Sequence, residues 1–167
     1  MSHTTAIVVI GGLPPDRRLA AVLPTPDVVV AADSGLHHAI DLGLRVHCVV
    51  GDMDSVDPAL LVGAEVNGVN VVRSPIDKDA TDTELAVAEA IARGASRVTV
   101  VTGGGGRMDH QLGVLATLAH REFSHATIEA WWDTAHIAIA HGPSTTSLEG
   151  RVGEVLGCTL LVETQPA

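Results

Sequence analysis

Short apolar runs closed by glycine, proline or an acid recur along the chain and set its frame. Ala6 to Ile10, Val28 to Ala32, Val46 to Val50, Val69 to Arg73 and Arg97 to Thr102 are rich in β-branched residues and show little polar alternation. Strands buried on both faces read this way. Helical segments separate them: Asp16 to Leu23 after Pro14-Pro15, Leu36 to Leu42 stopped by Gly43, and a helix holding Pro58 to Val62. Another opens near Asp82, carries Leu85, Ala88, Ile91 and Ala92 at helical spacing, and stops at Gly94. A last one carries Leu112, Leu115, Leu118 and Ala119. Regular alternation of this kind predicts an α/β fold, a three-layer, mostly parallel sheet with helices on both faces.

The tail breaks the alternation. Ala126 to Trp132 and Ala135 to Ala140 read as two strands around Asp133-Thr134, and Gly142-Pro143 closes the pattern. Thr145 to Glu163 suggests two further short strands, too few for a core of their own. The predicted division is an α/β domain over 1–142 and a short β segment over 143–167. At 167 residues the chain holds one well-buried domain.

Composition sharpens this picture. Hydrophobic residues make up 46% and aromatics 2%, so Val, Ile, Leu and Ala must fill the core. A net charge of −10 argues against a nucleic-acid partner and suits cations. Cys48 and Cys158 stand far apart in apolar settings, without metal-finger spacing, and read as buried thiols in a reducing compartment. The first apolar run is too short for a signal or membrane segment, and the expected location is the cytoplasm, with no membrane partner.

Candidate chemistry gathers where strands end. Asp33-Ser34-Gly35 follows the second strand, at the edge where open α/β sheets bind ligands; helix capping is the plainer role for Asp33. Gly51-Asp52-Met53-Asp54-Ser55 follows the third. In extended chain Asp52 and Asp54 point to one side and suit magnesium, which takes one or two carboxylates plus phosphate and water oxygens. Capping of the next helix by Asp54 or Ser55 would still leave Asp52 over. The stretch from Pro75 to Glu84 sets Lys78, the only lysine, among Asp77, Asp79, Asp82 and Glu84. Thr81 and Glu84 match a capping box, which accounts for the acids of the helix start but not for Asp77, Lys78 and Asp79. After the fifth strand, Gly103 to Gly106 lead through Arg107 into a helix with Asp109 and His110 near its start. Four glycines before a helix N-terminus allow close backbone approach to an anion, and Arg107 can grip phosphate oxygens bidentately. The Walker signature is absent, because no Gly-Lys-Ser/Thr follows these glycines. His37 and His38 read as surface or packing histidines.

In order, Ala32-Asp33-Ser34-Gly35, Val50-Gly51-Asp52-Met53-Asp54-Ser55, Asp77 to Leu85 and Gly105-Gly106-Arg107-Met108-Asp109-His110 resemble the catalytic domain of thiamine pyrophosphokinase, over roughly residues 6 to 140. The resemblance implies a Rossmann-like fold and transfer of the diphosphoryl group of ATP to the thiamine hydroxyl, with Mg²⁺ as cofactor and AMP as product. It also implies a homodimer and a C-terminal β-sandwich, of which 143–167 would be a remnant. By the same resemblance Asp52, Asp54 and Asp82 would hold Mg²⁺, with Asp33 and Asp79 nearby. Lys78 and Arg107 would stabilise the transferring phosphates. Ser34, Gly35, Thr81, Gly104, Gly105, Gly106, Asp109 and His110 would contact the nucleotide, and Asp54 or Asp79 would take the hydroxyl proton. The chain departs from the family pattern near Val114, where an Asn is usual, and at His47, where an Asp is usual. Two other functions fit the same residues: diphosphoryl transfer to another hydroxymethyl heterocycle of pterin type, and nucleotide binding without catalysis.

Overall fold

The computed structural model describes residues 4–75 and 80–143, with Ser147 and Gly157. Its strands are β1 (Thr5–Val9), β2 (Val28–Ala32), β3 (Cys48–Gly51), β4 (Asn70–Arg73), β5 (Arg97–Thr102), β6 (Thr127–Trp132) and β7 (Ala135–Ala138). Its helices are α1 (Gly35–Asp41), α2 (Pro58–Val66), α3 (Asp82–Ala92) and α4 (Met108–Leu118). One seven-stranded sheet runs in the order β4-β3-β2-β1-β5-β6-β7, parallel except for the antiparallel edge pair β6–β7. The seven strands predicted as far as Ala140 are therefore present, and the mostly parallel α/β sheet with an antiparallel edge is the observed architecture.

β1 is central because it is apolar on both sides. Ala6, Ile7, Val8 and Val9 are fully buried, and alternate residues enter different cores. Ala6 and Val8 pack with Val87, Ala90, Val114 and Leu118 of α3 and α4. Ile7 and Val9 pack with Leu19, Ala39 and Leu42 on the opposite face. A third cluster joins Ala31 and Val49 to Leu36 and Leu61, beneath α1 and α2. Each fully buried Val, Leu or Ile adds roughly 1.5–3 kcal/mol of transfer free energy. The strand order explains the two layers of helices. From β1 the chain steps outward through β2, β3 and β4, then crosses to β5 and steps the other way. Right-handed crossovers taken in opposite directions put their helices on opposite faces.

Several boundaries differ from the sequence reading. The predicted helix over Asp16 to Leu23 is one 3₁₀ turn, Arg17–Ala21, capped by the Asp16 carboxylate on the Arg18 N–H. Pro24 and Pro26 leave it no room to continue. The third strand begins at Cys48 rather than Val46, since His47 Nδ1 accepts the Val29 N–H at 3.0 Å and takes the place of a ladder carbonyl. α2 runs on to Val66. Cys48 is a buried free thiol, raised to about 11 by burial; Cys158 and the strands predicted within 145–163 lie outside the described residues. No described helix is long and apolar enough to cross a membrane.

Candidate functional site

The carboxyl ends of β2 and β3 bring acids together. Asp33 follows β2 with φ 48°, a left-handed conformation uncommon outside glycine. Its N–H still donates to the Val50 carbonyl, and its Oδ1 accepts the Met53 N–H at 3.0 Å. Asp33 thus ties the ends of β2 and β3 together and does not cap α1, whose N-cap Ser34 makes no side-chain capping bond. The cap of α2 is Asp57, accepting from the Ala59 and Leu60 N–H groups, in place of the expected Asp54 or Ser55. Asp52 and Asp54 make local bonds, to the Asp54 N–H and the Ser55 hydroxyl.

Asp33, Asp52 and Asp54 each place one oxygen within 4.8 Å of the others, a span that one divalent cation can bridge. Asp82, at the start of α3, adjoins them. A Cβ on Gly51 would stand 2.4 Å from Asp33 Oδ1 and 3.4 Å from Asp82 Oδ1, so the missing side chain leaves room for two carboxylates. Burial pushes the Asp33 carboxyl up to about 6, and the charges of Asp82, Asp52 and Asp54 add to the rise; the Met53 N–H works against it. Hard oxygen donors under mutual repulsion fit Mg²⁺ as a counterion.

A cleft of about 780 Å³ adjoins the α3 N-terminus. Thr81 and Thr83 of α3 line it, facing Gly106, Arg107 and His110 at the start of α4. Thr81 Oγ1 caps α3 through the Glu84 N–H at 3.2 Å. Gly105 and Asp109 also contribute, together with Gly12 and Leu13 of the loop after β1, which were not among the predicted site residues.

The glycine loop is built differently from the expectation. Thr102 Oγ1 donates to the Gly11 carbonyl and accepts from the Gly104 N–H, each at 3.0 Å. Leu13 and Gly104 share a further backbone bond of 2.8 Å. A Cβ on Gly103 would meet the Leu13 carbonyl at 2.3 Å, one on Gly104 the Trp132 Nε1 at 2.1 Å, and one on Gly105 the Leu13 side chain at 2.5 Å. Only Gly106 opens onto free space. Three of the four glycines are therefore required by the chain's own packing, which the local sequence could not reveal because Trp132 lies far along it.

Arg107 and Asp109 pair on the cleft's rim, Nε to Oδ1 at 3.0 Å with a second bond from Nη2, which holds the Asp109 carboxyl below its usual range. Gly35 presses on β1, where a Cβ would stand 2.1 Å from the Val9 carbonyl, so its role in the fold is the close approach of α1. Ser34 Oγ lies against Gly11, where a Cβ would stand 2.6 Å from it. Asp77, Lys78 and Asp79 lie outside the described residues.

The family model for the thiamin pyrophosphokinase catalytic domain matches residues 19–130. The chain belongs to that family. A thiamin pyrophosphokinase family protein from Enterococcus faecalis is 29% identical with a TM-score of 0.62, over 77% of this chain and 61% of that one. Thiamine pyrophosphokinase from Bacillus subtilis is 23% identical with a TM-score of 0.64, over 77% and 60%. The yeast enzyme is 13% identical with a TM-score of 0.60, over 79% and 59%. The latter two likenesses concern the fold alone. The chain spans about 60% of the length of these thiamin pyrophosphokinase structures. No curated protein sequence matches it. The family match encloses the acid cluster, the α3 N-terminus and the start of α4; Gly12 and Leu13 fall before it.

Proposed function

We propose that this chain is the catalytic part of a thiamine diphosphokinase, transferring the diphosphoryl group of ATP to the thiamine hydroxyl and releasing AMP. The observation that carries this reading is the pairing of four carboxylates with a cleft of glycine and arginine across one helix N-terminus. Family membership supports it. The cleft opens between the loops after β1 and β5, where the strand order changes direction, the place a Rossmann-like sheet offers a nucleotide.

Asp52, Asp54 and Asp82, with Asp33 beside them, would hold Mg²⁺, which when bound neutralises phosphate charge and orients the diphosphoryl group. The N-terminus of α4, whose N-cap makes no side-chain bond, would present backbone N–H groups to phosphate oxygens, and the positive dipole ends of α3 and α4 would favour the same anion. Arg107 adds a planar cation, and Lys78, before α3, adds a compact one. Gly104, Gly105 and Gly106 shape the wall along the nucleotide, with Ser34, Thr81, Asp109 and His110 at its polar rim. Asp54 or Asp79 would accept the proton of the attacking hydroxyl. Diphosphoryl transfer demands this kind of positioning and charge stabilisation rather than a covalent protein intermediate. The proposal includes a cytoplasmic location and a homodimer, the latter read out by the solution mass.

Chromatography of the nucleotide product tests the reaction class. AMP formed only when thiamine and Mg²⁺ are both present supports it. ADP as product would replace it with simple phosphoryl transfer, and AMP formed with a pterin alcohol but not with thiamine would move the acceptor.

A further inference from the structure

We infer that His37 and His38 are positioning residues, each fixing one of the two loops on which the site is built. Consecutive residues of an α-helix diverge by roughly 100°. In α1 the buried side chains are Leu36 and Ala39, so His37 and His38 project to opposite flanks of the buried stripe. Each is half-buried and reaches a different loop. His38 Nε2 lies 3.1 Å from the Gly12 carbonyl, in the loop after β1 that lines the cleft. His37 Nε2 lies 3.2 Å from the Asp57 N, at the end of the loop that carries Asp52 and Asp54.

The two bonds have opposite polarity. A backbone N–H can only donate, so His37 Nε2 is the acceptor and its ring proton sits on Nδ1. A carbonyl can only accept, so His38 Nε2 carries a proton. α1 itself is anchored on β1 through Gly35. The helix is thereby a fixed post: one imidazole holds the cleft wall and its neighbour holds the acid loop, which sets the distance between phosphate and metal positions. Surface histidines with only solvent to satisfy would not show this paired, complementary arrangement.

The inference rests on the proposed site for its catalytic meaning, but its geometry is testable without activity. Amide hydrogen exchange at Asp57 and at Leu13 would be followed by NMR in the full chain and in single variants. His37→Ala should speed exchange at Asp57 by about tenfold and leave Leu13 unchanged, the effect of losing one net hydrogen bond. His38→Ala should do the reverse, since a loosened Gly12 exposes the neighbouring Leu13 N–H. Polarity supplies the rescue. His37→Gln keeps an acceptor and His38→Gln keeps a donor, so both should restore protection, whereas His37→Lys and His38→Glu should not. In turnover, His38→Ala should raise KM for ATP several-fold, and His37→Ala should raise the Mg²⁺ concentration needed for half-maximal rate. Unchanged exchange in both alanine variants, or equal acceleration at both loops in either one, would overturn the inference. Wild-type chain that makes no AMP yet shows the selective exchange pattern would defeat the activity and leave the positioning role standing.

Discussion

Replacing Asp33 with Asn should stabilise the metal-free chain at neutral pH and leave it unchanged in acid. Folding buries the Asp33 carboxyl and, as a smaller contribution, sets it beside Asp82, Asp52 and Asp54, which together raise it from 3.8 to about 6. Two units correspond to about 3 kcal/mol at full effect. Solvent reaches this half-buried group, so a discounted value of about 1–2 kcal/mol is the working figure. Between pH 4 and 6 the native state holds one proton more than the unfolded chain, so the Asp33 contribution falls as pH rises through that window and is flat above it. His47 works in the other direction: burial lowers it from 6.5, so its contribution grows as pH rises toward that value. The difference between wild type and Asp33→Asn cancels His47 and isolates the carboxylate. Asn keeps an oxygen for the Met53 N–H, so the loop connection survives. Urea melts in EDTA should show equal stability at about pH 3, below the unfolded value of 3.8, and a variant more stable by about 1–2 kcal/mol at pH 7.5. A difference that does not change with pH would refute the claim that the folded chain disfavours the charged form of Asp33.

The other predictions follow from single contacts. Gly35→Ala should cost about 3 kcal/mol or prevent folding, because its Cβ would collide with the Val9 carbonyl; an unchanged thermal melt would mean α1 does not rest on β1 as described. Asp57→Ala should cost about 1 kcal/mol through loss of the α2 cap, read in a urea melt. Asp54→Asn should lower turnover by about 10- to 100-fold with the melt intact, and near-normal activity at ordinary Mg²⁺ would remove Asp54 from the metal set. Arg107→Lys should raise KM for ATP by about tenfold, because the ammonium cannot reproduce the planar two-point grip; unchanged kinetics would place Arg107 outside the nucleotide site.

Much of the fold was legible because burial on both faces leaves a local trace. The apolar run from Ala6 to Ile10 read as a buried strand, and Thr81 with Glu84 put the start of α3 near Asp82, where it is found. The turn at Arg17 was misjudged because helical spacing outweighed the prolines that follow it. At the site, the acids were legible as leftovers from capping, although the cap itself proved to be Asp57. Asp33 was placed near these acids through the family resemblance; the residues around it did not show the left-handed turn that aims its carboxylate at the Met53 N–H. The functions of Gly103 to Gly105 and of His37 and His38 were hidden for one reason. Each is defined by a partner distant in sequence, Trp132, Leu13, Gly12 or Asp57, and pattern along the chain carries no record of such pairings.

The most direct test of the central claim is a phosphorus NMR time course of ATP, Mg²⁺ and this chain, with and without thiamine. The account predicts AMP and thiamine diphosphate appearing in equal amounts, only when thiamine is present and at least about tenfold more slowly in Asp54→Asn. ATP that stays intact with thiamine present, or AMP that appears with free pyrophosphate and no thiamine diphosphate, would contradict it.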